Sequence, residues 1–379
     1  MTSDDLKFHA FCLTDTGSRL DRYAQAIAVG VHPGDVVLDL GSGTGILTFL
    51  ASAAGARLVY GIEASDVIAC AELVAARRGL LDRVRFIHAS SSAVILPERV
   101  DVIVADIHDT FGLQPTGLRS FIDARDRFLK PGGRLIPVST QLLVAPVEAP
   151  DLYRRTVDVW REPVHGVDFS PVRALATNQP HPARFDAADT LAAPSTIATI
   201  DFRSIHALHA GGSARVIAAR SGTLHGVCGC FVTTLGGDIT MSNAPGQSEA
   251  TNFAQVFFPI ETPQEVAEGD AIAIQIDAFD GLEYRWRVEV VSRHGGSIRS
   301  DRSTFHGMPV PLNALKKQRA DYKPRLTARG EMERALLDRF DGTCTAAELE
   351  AWLTDRFASA LPSSQEATAL VKATIARCG

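Results

Sequence analysis

The chain has 379 residues, 46% of them hydrophobic and 22% charged, with a formal net charge of −6. That is the composition of a globular protein of two or three domains, long enough to bury sizeable cores. A net negative charge gives no general attraction to nucleic acid, no apolar run is long enough to span a membrane, and Thr2-Ser3-Asp4-Asp5 opens no basic-then-apolar leader. The six cysteines, Cys12, Cys70, Cys228, Cys230, Cys344 and Cys378, form no C-x-x-C pair and read as reduced thiols, which implies the cytoplasm. Cys228 and Cys230 share one face of a strand and read as core packing, so no metal site is expected.

Residues 1–34 form an N-terminal helical segment in which Leu20, Tyr23, Ala24 and Ile27 share one helical face and Arg19 stands at the helix start. On these features alone Arg19 is a solvated charge. Val36–Leu40 is a short β-branched run, the pattern of a strand buried on both faces. Gly41, Gly43 and Gly45 follow, freeing the backbone for a sharp turn and a close ligand approach, and Ile46–Ala54 reads as a buried helix ending at Gly55. The second strand ends at Glu63, and Ser65 is placed to cap the next helix. Val84–Ile87 leads to Ser91, Val100–Ala105 to Asp106, and a helical stripe of Leu118, Phe121, Ile122, Phe128 and Leu129 stops at Lys130-Pro131-Gly132-Gly133 before a strand at Arg134–Ile136. Repeated strand–helix units over residues 35–137 predict an α/β, doubly wound parallel sheet. Asp39, Glu63, Ser91 and Asp106 then converge at the carboxyl ends of its strands, where such sheets bind ligands.

After Pro137 strands follow strands. Tyr284, Trp286, Val288 and Val290 alternate with Glu283, Arg285, Arg287 and Glu289, and Asp280-Gly281 and Gly236-Gly237 are hairpin turns. Residues 138–312 therefore read as an antiparallel β domain, interrupted by an insertion at 151–195. Residues 313–330 are polar and basic and read as a linker, and residues 331–379 as a small helical module in which Thr345 caps a helix.

Ile46 stands where a dinucleotide turn would carry its third glycine, which disfavours a nicotinamide dehydrogenase. With Asp39 ahead of the turn and Glu63 ending the next strand, the D-x-G-x-G-x-G pattern resembles the first motif of class I S-adenosylmethionine-dependent methyltransferases. The order of parts narrows this. A methyltransferase domain followed by an antiparallel domain, the Trp160–Ser170 segment (W-x-x-V-Y-G-x-D-M-S in the family, here one residue longer and with His165 for the tyrosine) and K-P-G-G-x-L-I-P at 130–137 resemble the protein arginine methyltransferases over roughly residues 8–291. The resemblance implies a Rossmann-like sheet followed by a β-barrel, 151–195 as a dimerisation arm, a homodimer, and S-adenosyl-L-methionine as cofactor. It implies that Arg19 binds the methionine carboxylate, that Gly41, Gly43 and Gly45 line the methionine and ribose, that Glu63 holds the ribose hydroxyls, and that Ser91 lies near the adenine.

The catalytic hairpin departs from the family's S-E-x-M-G-x-x-L-x-x-E. Asp106 is a shorter first carboxylate, Pro115 replaces the second with Gln114 beside it, and Thr251-Asn252-Phe253 stands for the T-H-W loop. The catalytic candidates are Asp106, His108 as base, and Asp109 as a compensating carboxylate. The acceptor implied is a peptide or protein nitrogen, arginine among them; a small-molecule N- or O-methyltransferase and a non-catalytic, peptide-presenting S-adenosylmethionine-binding protein are the alternatives. The helix, D-G-x-x-T turn and A-E-L helix of residues 331–379 resemble the PqqD-like winged-helix units of ribosomal-peptide pathways.

Overall fold

The computed structural model describes residues 3–14, 16–112, 114, 116–247, 251–281, 283–309, 311–361 and 363–378. The chain divides into two compact units, Met1–Pro309 and Val310–Gly379.

The first unit begins with helix α1 (Ser3–Thr14), a π turn at Thr16–Leu20 and helix α2 (Asp21–Gly30). α2 buries Tyr23, Ala26 and Ile27. Strands β1 (Val36–Leu40), β2 (Leu58–Glu63), β3 (Val84–His88), β4 (Val100–Ala105) and β5 (Leu129–Ile136) form a sheet in the order β3-β2-β1-β4-β5. Every pairing in it is parallel. Helices α3 (Ile46–Ala53), α4 (Ile68–Arg77) and α5 (Gly117–Phe128) connect the strands. All five β1 residues are buried because both faces of the sheet are covered: Val36, Leu38 and Leu40 enter one core, Val37 the other. That is why β1 reads as a continuous apolar run rather than an alternating one. The expected Ser65 cap is not made. α4 starts at Ile68 with no side-chain cap, and the Ser65 N–H is spent on Glu63 Oε1 at 2.8 Å.

Strands β6 (Ser139–Val147), β7 (His181–Ala183), β8 (Ser195–Asp201), β9 (His209–Ile217), β10 (Gly222–Gly236), β11 (Ile239–Ser242), β12 (Gln255–Val266), β13 (Ala271–Phe279), β14 (Glu283–Val291) and β15 (Ser297–Ser303) build two antiparallel sheets. Their orders are β7-β12-β10-β6-β8, with β11 on β10, and β15-β14-β13-β9. The sheets close on each other in a barrel-like body, where the Trp286 indole of β14 donates to the Pro259 carbonyl of β12 at 2.8 Å. Helices α6 (Pro150–Thr156) and α7 (Ser170–Ala176) lie within the insertion. The barrel is welded to the parallel sheet by shared cores. Phe231 and Leu235 of β10 and Met241 of β11 join the cluster of Tyr23, Ile27, Val37 and Val102.

The second unit holds helices α8 (Leu312–Lys317), α9 (Ala328–Leu337), α10 (Ala346–Arg356) and α11 (Ser364–Cys378). Met332, Leu336, Leu349, Leu353, Leu370 and Val371 form its own core. Thr345 caps α10 in a capping box with Glu348. Two features differ from the sequence reading. α8 lies inside the expected linker, since Leu312, Ala314, Leu315 and two lysines are good helix formers. The described residues of this unit contain no strand, so the wing of a winged helix is not among them.

Phe231 is fully buried in the weld. Phe231→Ala should destabilise the first unit by about 3–5 kcal/mol in urea unfolding; an unchanged midpoint would contradict the shared core.

Candidate functional site

The turn after β1 is built by positive φ angles at Gly41 (76°), Gly43 (52°) and Gly45 (84°), which L side chains rarely adopt. A Cβ on Gly43 would stand 2.6 Å from the His9 ring of α1, and one on Gly45 would stand 2.9 Å from Ala71 Cβ. The two glycines therefore do different work. Gly43 lets α1 lie over the turn, whereas Gly45 lets α3 settle against α4. Gly41 and Gly43 line a cleft of about 540 Å³ at the carboxyl ends of the strands, and Gly45 does not. Arg19, Glu63, Ser91 and Asp106 line it as well.

Glu63 accepts from the Gly43 N–H at 3.0 Å through Oε2 and from the Ser65 N–H at 2.8 Å through Oε1. Each carboxylate oxygen keeps a second lone pair, so the group can still accept two hydroxyls. Ser91 sits in a short 3₁₀ turn, Ser91–Ala93, whose backbone is tied by Arg127 donating to the Ser91 carbonyl at 2.7 Å.

Asp39 is placed differently from expectation. It is buried beneath the turn and is not part of the cleft wall. Thr48 of α3 donates to its Oδ2 at 2.6 Å. Asp39 Oδ1 and Ser42 Oγ are buried without a hydrogen-bond partner. Burial pushes the Asp39 carboxyl up to about 7, against the lowering effect of the Thr48 hydrogen bonds. The orphaned Oγ of Ser42, a residue of the cleft wall, together with the open wall at Gly41, fits an S-adenosylmethionine lying across Gly41 and Gly43 towards Glu63 and Ser91.

Asp106 ends β4. The Arg19 guanidinium pairs with its Oδ2 and also donates to the Cys12 carbonyl. Arg19 is therefore no solvated charge; it is 5% exposed and lies 6.0 Å from the Phe253 ring centroid. The other oxygen, Oδ1, is 3.2 Å from His108 Nδ1. His108 is 1% exposed, stacks on Phe231 at 5.3 Å, and does not reach the cleft, so it is not placed to act on an acceptor. Its Nε2 lies 2.9 Å from the Thr233 hydroxyl, which lies 2.8 Å from that of Thr140. An ionised carboxylate only accepts, so in the neutral ring the proton sits on Nδ1 and Nε2 accepts from Thr233. Burial alone would raise the Asp106 carboxyl; the His108 hydrogen bond and the Arg19 charge outweigh it and hold it below the usual carboxylate range. Tyr23 OH, donating to the Ala105 carbonyl at 2.9 Å, packs alongside.

Asp109 does not join this group. Its Oδ1 accepts from the Thr110 N–H at 2.7 Å, and it faces Tyr284, whose hydroxyl is pushed up to about 12 by burial and by the Asp109 charge. Pro115 lies outside the described residues, and Gln114 lines the cleft. Asn252 is exposed, while its neighbour Phe253 lines the cleft. Sequence reading missed Tyr23, Thr140 and Thr233 as parts of the site. Among the described residues no group of acidic, histidine or cysteine side chains is arranged to hold a metal ion.

Residues 37–133 match the family profile described as methyltransferase domain, and residues 139–285 the one described as arginine methyltransferase oligomerization subdomain. A Xenopus laevis protein named protein arginine N-methyltransferase 6 is 31% identical over 320 residues, which is 80% of this chain and 92% of that protein. An Arabidopsis thaliana protein named probable protein arginine N-methyltransferase 6 is 36% identical over 194 residues, so the chain spans less than half (44%) of that relative's length. Two solved structures share the fold. One is the Trypanosoma brucei PRMT1 enzyme–prozyme heterotetrameric complex with AdoHcy, at TM-score 0.69 and 21% identity over 78% of this chain and 97% of that one. The other is Arabidopsis thaliana protein arginine methyltransferase 10, at TM-score 0.68 and 23% identity over 79% of this chain and 98% of that one.

The raised Asp39 carboxyl sets a pH dependence. The folded group titrates near 7 and the unfolded one near 3.9, so between these values only the unfolded chain ionises. Stability is then fully present below about pH 4 and falls as pH rises towards 7. Asp39→Asn removes this titration. Its stability relative to the parent should rise with pH, by at most about 1.4 kcal/mol per unit, between pH 4 and 7 in urea unfolding of ligand-free protein; a difference independent of pH would contradict it.

Proposed function

This chain belongs to the protein arginine N-methyltransferase family, and from that premise we propose that it methylates a guanidinium nitrogen of arginine in a peptide or protein. S-adenosyl-L-methionine is its methyl donor. The observation that carries the reading is the ionised Asp106 carboxylate opening on the same cleft as the glycine turn and Glu63. When bound, S-adenosylmethionine supplies a methyl group on positively charged sulfur, whose carbon–sulfur electron pair returns to sulfur as the nitrogen–methyl bond forms. Asp106 orients the cationic acceptor and concentrates charge on the attacking nitrogen, and approach in line supplies most of the acceleration. One guanidinium proton is lost overall. Glu63 takes the ribose hydroxyls, Gly41 and Gly43 the backbone-close part of the donor, Ser91 the adenine side, and Arg19 the amino-acid carboxylate. Asp39 acts through Thr48 and the shape of the turn, and Gly45 through packing.

The parts are assigned as an N-terminal helical segment (1–34), a donor-binding domain (35–137), a barrel with its arm (138–312), a connection (313–330) and a helical module (331–379). A homodimer through the arm is supported by the large exposed apolar residues there, Val159, Val164, Val167 and Phe169, on one short stretch. A cytoplasmic location is supported by the sequence spacing of the six cysteines, none of which forms a C-x-x-C pair.

Two substitutions separate the roles. Asp106→Asn should lower kcat on an arginine peptide on the order of a hundredfold without weakening the binding of S-adenosylmethionine. Glu63→Ala should weaken S-adenosylmethionine binding about tenfold or more, measured by calorimetry. Full turnover in the Asp106 variant would remove arginine orientation from this carboxylate, and unchanged affinity in the Glu63 variant would remove Glu63 from the donor site.

A further inference from the structure

We infer that Arg19 is a coupling residue that blocks Asp106 until the donor's carboxylate claims it, so that an arginine acceptor binds only after the donor. The inference rests on the arginine-acceptor reading above.

The two carboxylates among the described residues lining the cleft are Glu63 and Asp106. Glu63 is held by two backbone amides at the nucleoside end. That leaves Asp106 to face a cationic acceptor. Its two oxygens are held in unlike ways. Oδ1 faces His108, a ring locked by the Phe231 stack and the Thr233 hydroxyl and essentially without exposed surface. This side is fixed.

Oδ2 is taken by Arg19. Arg19 lies in the Thr16–Leu20 π turn, a backbone form that holds one extra residue in the turn and often marks functional segments. Its side chain is long, and it borders the cleft beside Cys12 and Phe253. A second guanidinium needs the same face of Asp106 and meets a carboxylate whose charge Arg19 already balances, next to a like charge. As found, the acceptor carboxylate is closed.

The donor offers what Arg19 needs in order to let go. With its ribose at Glu63 and its adenine beside Ser91, its amino-acid end falls to the stretch of cleft bordered by Gly41, Cys12 and Arg19. Arg19 presents a planar fork of donors suited to a carboxylate. When it turns to that carboxylate, Oδ2 of Asp106 is freed while Oδ1 stays on His108. The acceptor guanidinium then finds a preoriented, uncompensated carboxylate. A single arginine thus sets the order of binding, and its effect is a coupling free energy that acts equally in both directions.

The test measures binding of an arginine-containing peptide to the full chain by fluorescence anisotropy in three states: alone, saturated with S-adenosylhomocysteine, and saturated with methylthioadenosine, which has the same nucleoside and thioether but no amino-acid carboxylate. S-adenosylhomocysteine should tighten peptide binding about tenfold or more, and methylthioadenosine less than about twofold. Arg19→Gln should bind the peptide without any nucleoside about as tightly as the loaded parent does. Equal peptide affinity in all three states would overturn the inference, as would tightening by methylthioadenosine equal to that by S-adenosylhomocysteine, since the coupling would then run through the nucleoside. Absence of peptide binding in every state would overturn the arginine-acceptor reading instead.

Discussion

One chain of polar contacts ties the first unit together: Arg19 to Asp106, Asp106 to His108, His108 to Thr233, Thr233 to Thr140. It starts in the N-terminal segment, crosses the carboxyl end of the parallel strand β4 and ends on two neighbouring strands of the barrel. A polar group left unpaired in such a buried network is costly, so each member needs its partner. The packing follows the same line. Phe231 stacks on His108 and joins the core of the parallel sheet, so the two bodies of the first unit fix the geometry of one carboxylate between them.

The parallel register makes the second half of the site. Asp39 pairs with Gly61 on β2 and with Val104 on β4, which sets Gly41, Glu63 and Asp106 at one level just beyond the strand ends. The glycine turn, Glu63 and the Asp106 carboxylate then share one opening without any loop having to reach across. The departures from the family's hairpin fall at the Asp106 end, beside a buried histidine and Arg19, while the other end keeps its glycines and acidic strand end.

Much of this was legible in the sequence, for physical reasons. Strands β1, β2 and β4 announce themselves because both faces are covered, and the alternation of Tyr284 to Val290 announces a strand covered on one. What escaped was long-range or directional. His108 looks like a polar loop residue because its partners Thr140 and Thr233 lie 32 and 125 residues away. Asp39 was read as a ligand-facing group, yet strand alternation puts it on the same side as Val37, under α3, where Thr48 waits. That signal was present and outweighed by the motif. Asp109 was read as a spare carboxylate, but the Thr110 amide of its own loop holds it, with Tyr284 of the barrel nearby. Ser65 failed as a cap because α4 begins only at Ile68, with Val67 at the cap position, and the π turn that places Arg19 has no periodic signature.

The central claim is that this cleft still grips a guanidinium with a single carboxylate. The most direct measurement incubates the purified chain and methyl-labelled S-adenosylmethionine with lysate from its own source, then hydrolyses the macromolecular fraction and identifies the labelled amino acid. Label recovered as methylarginine is the result expected from Asp106 freed by Arg19. Label confined to small molecules, with none in protein or peptide, would contradict it.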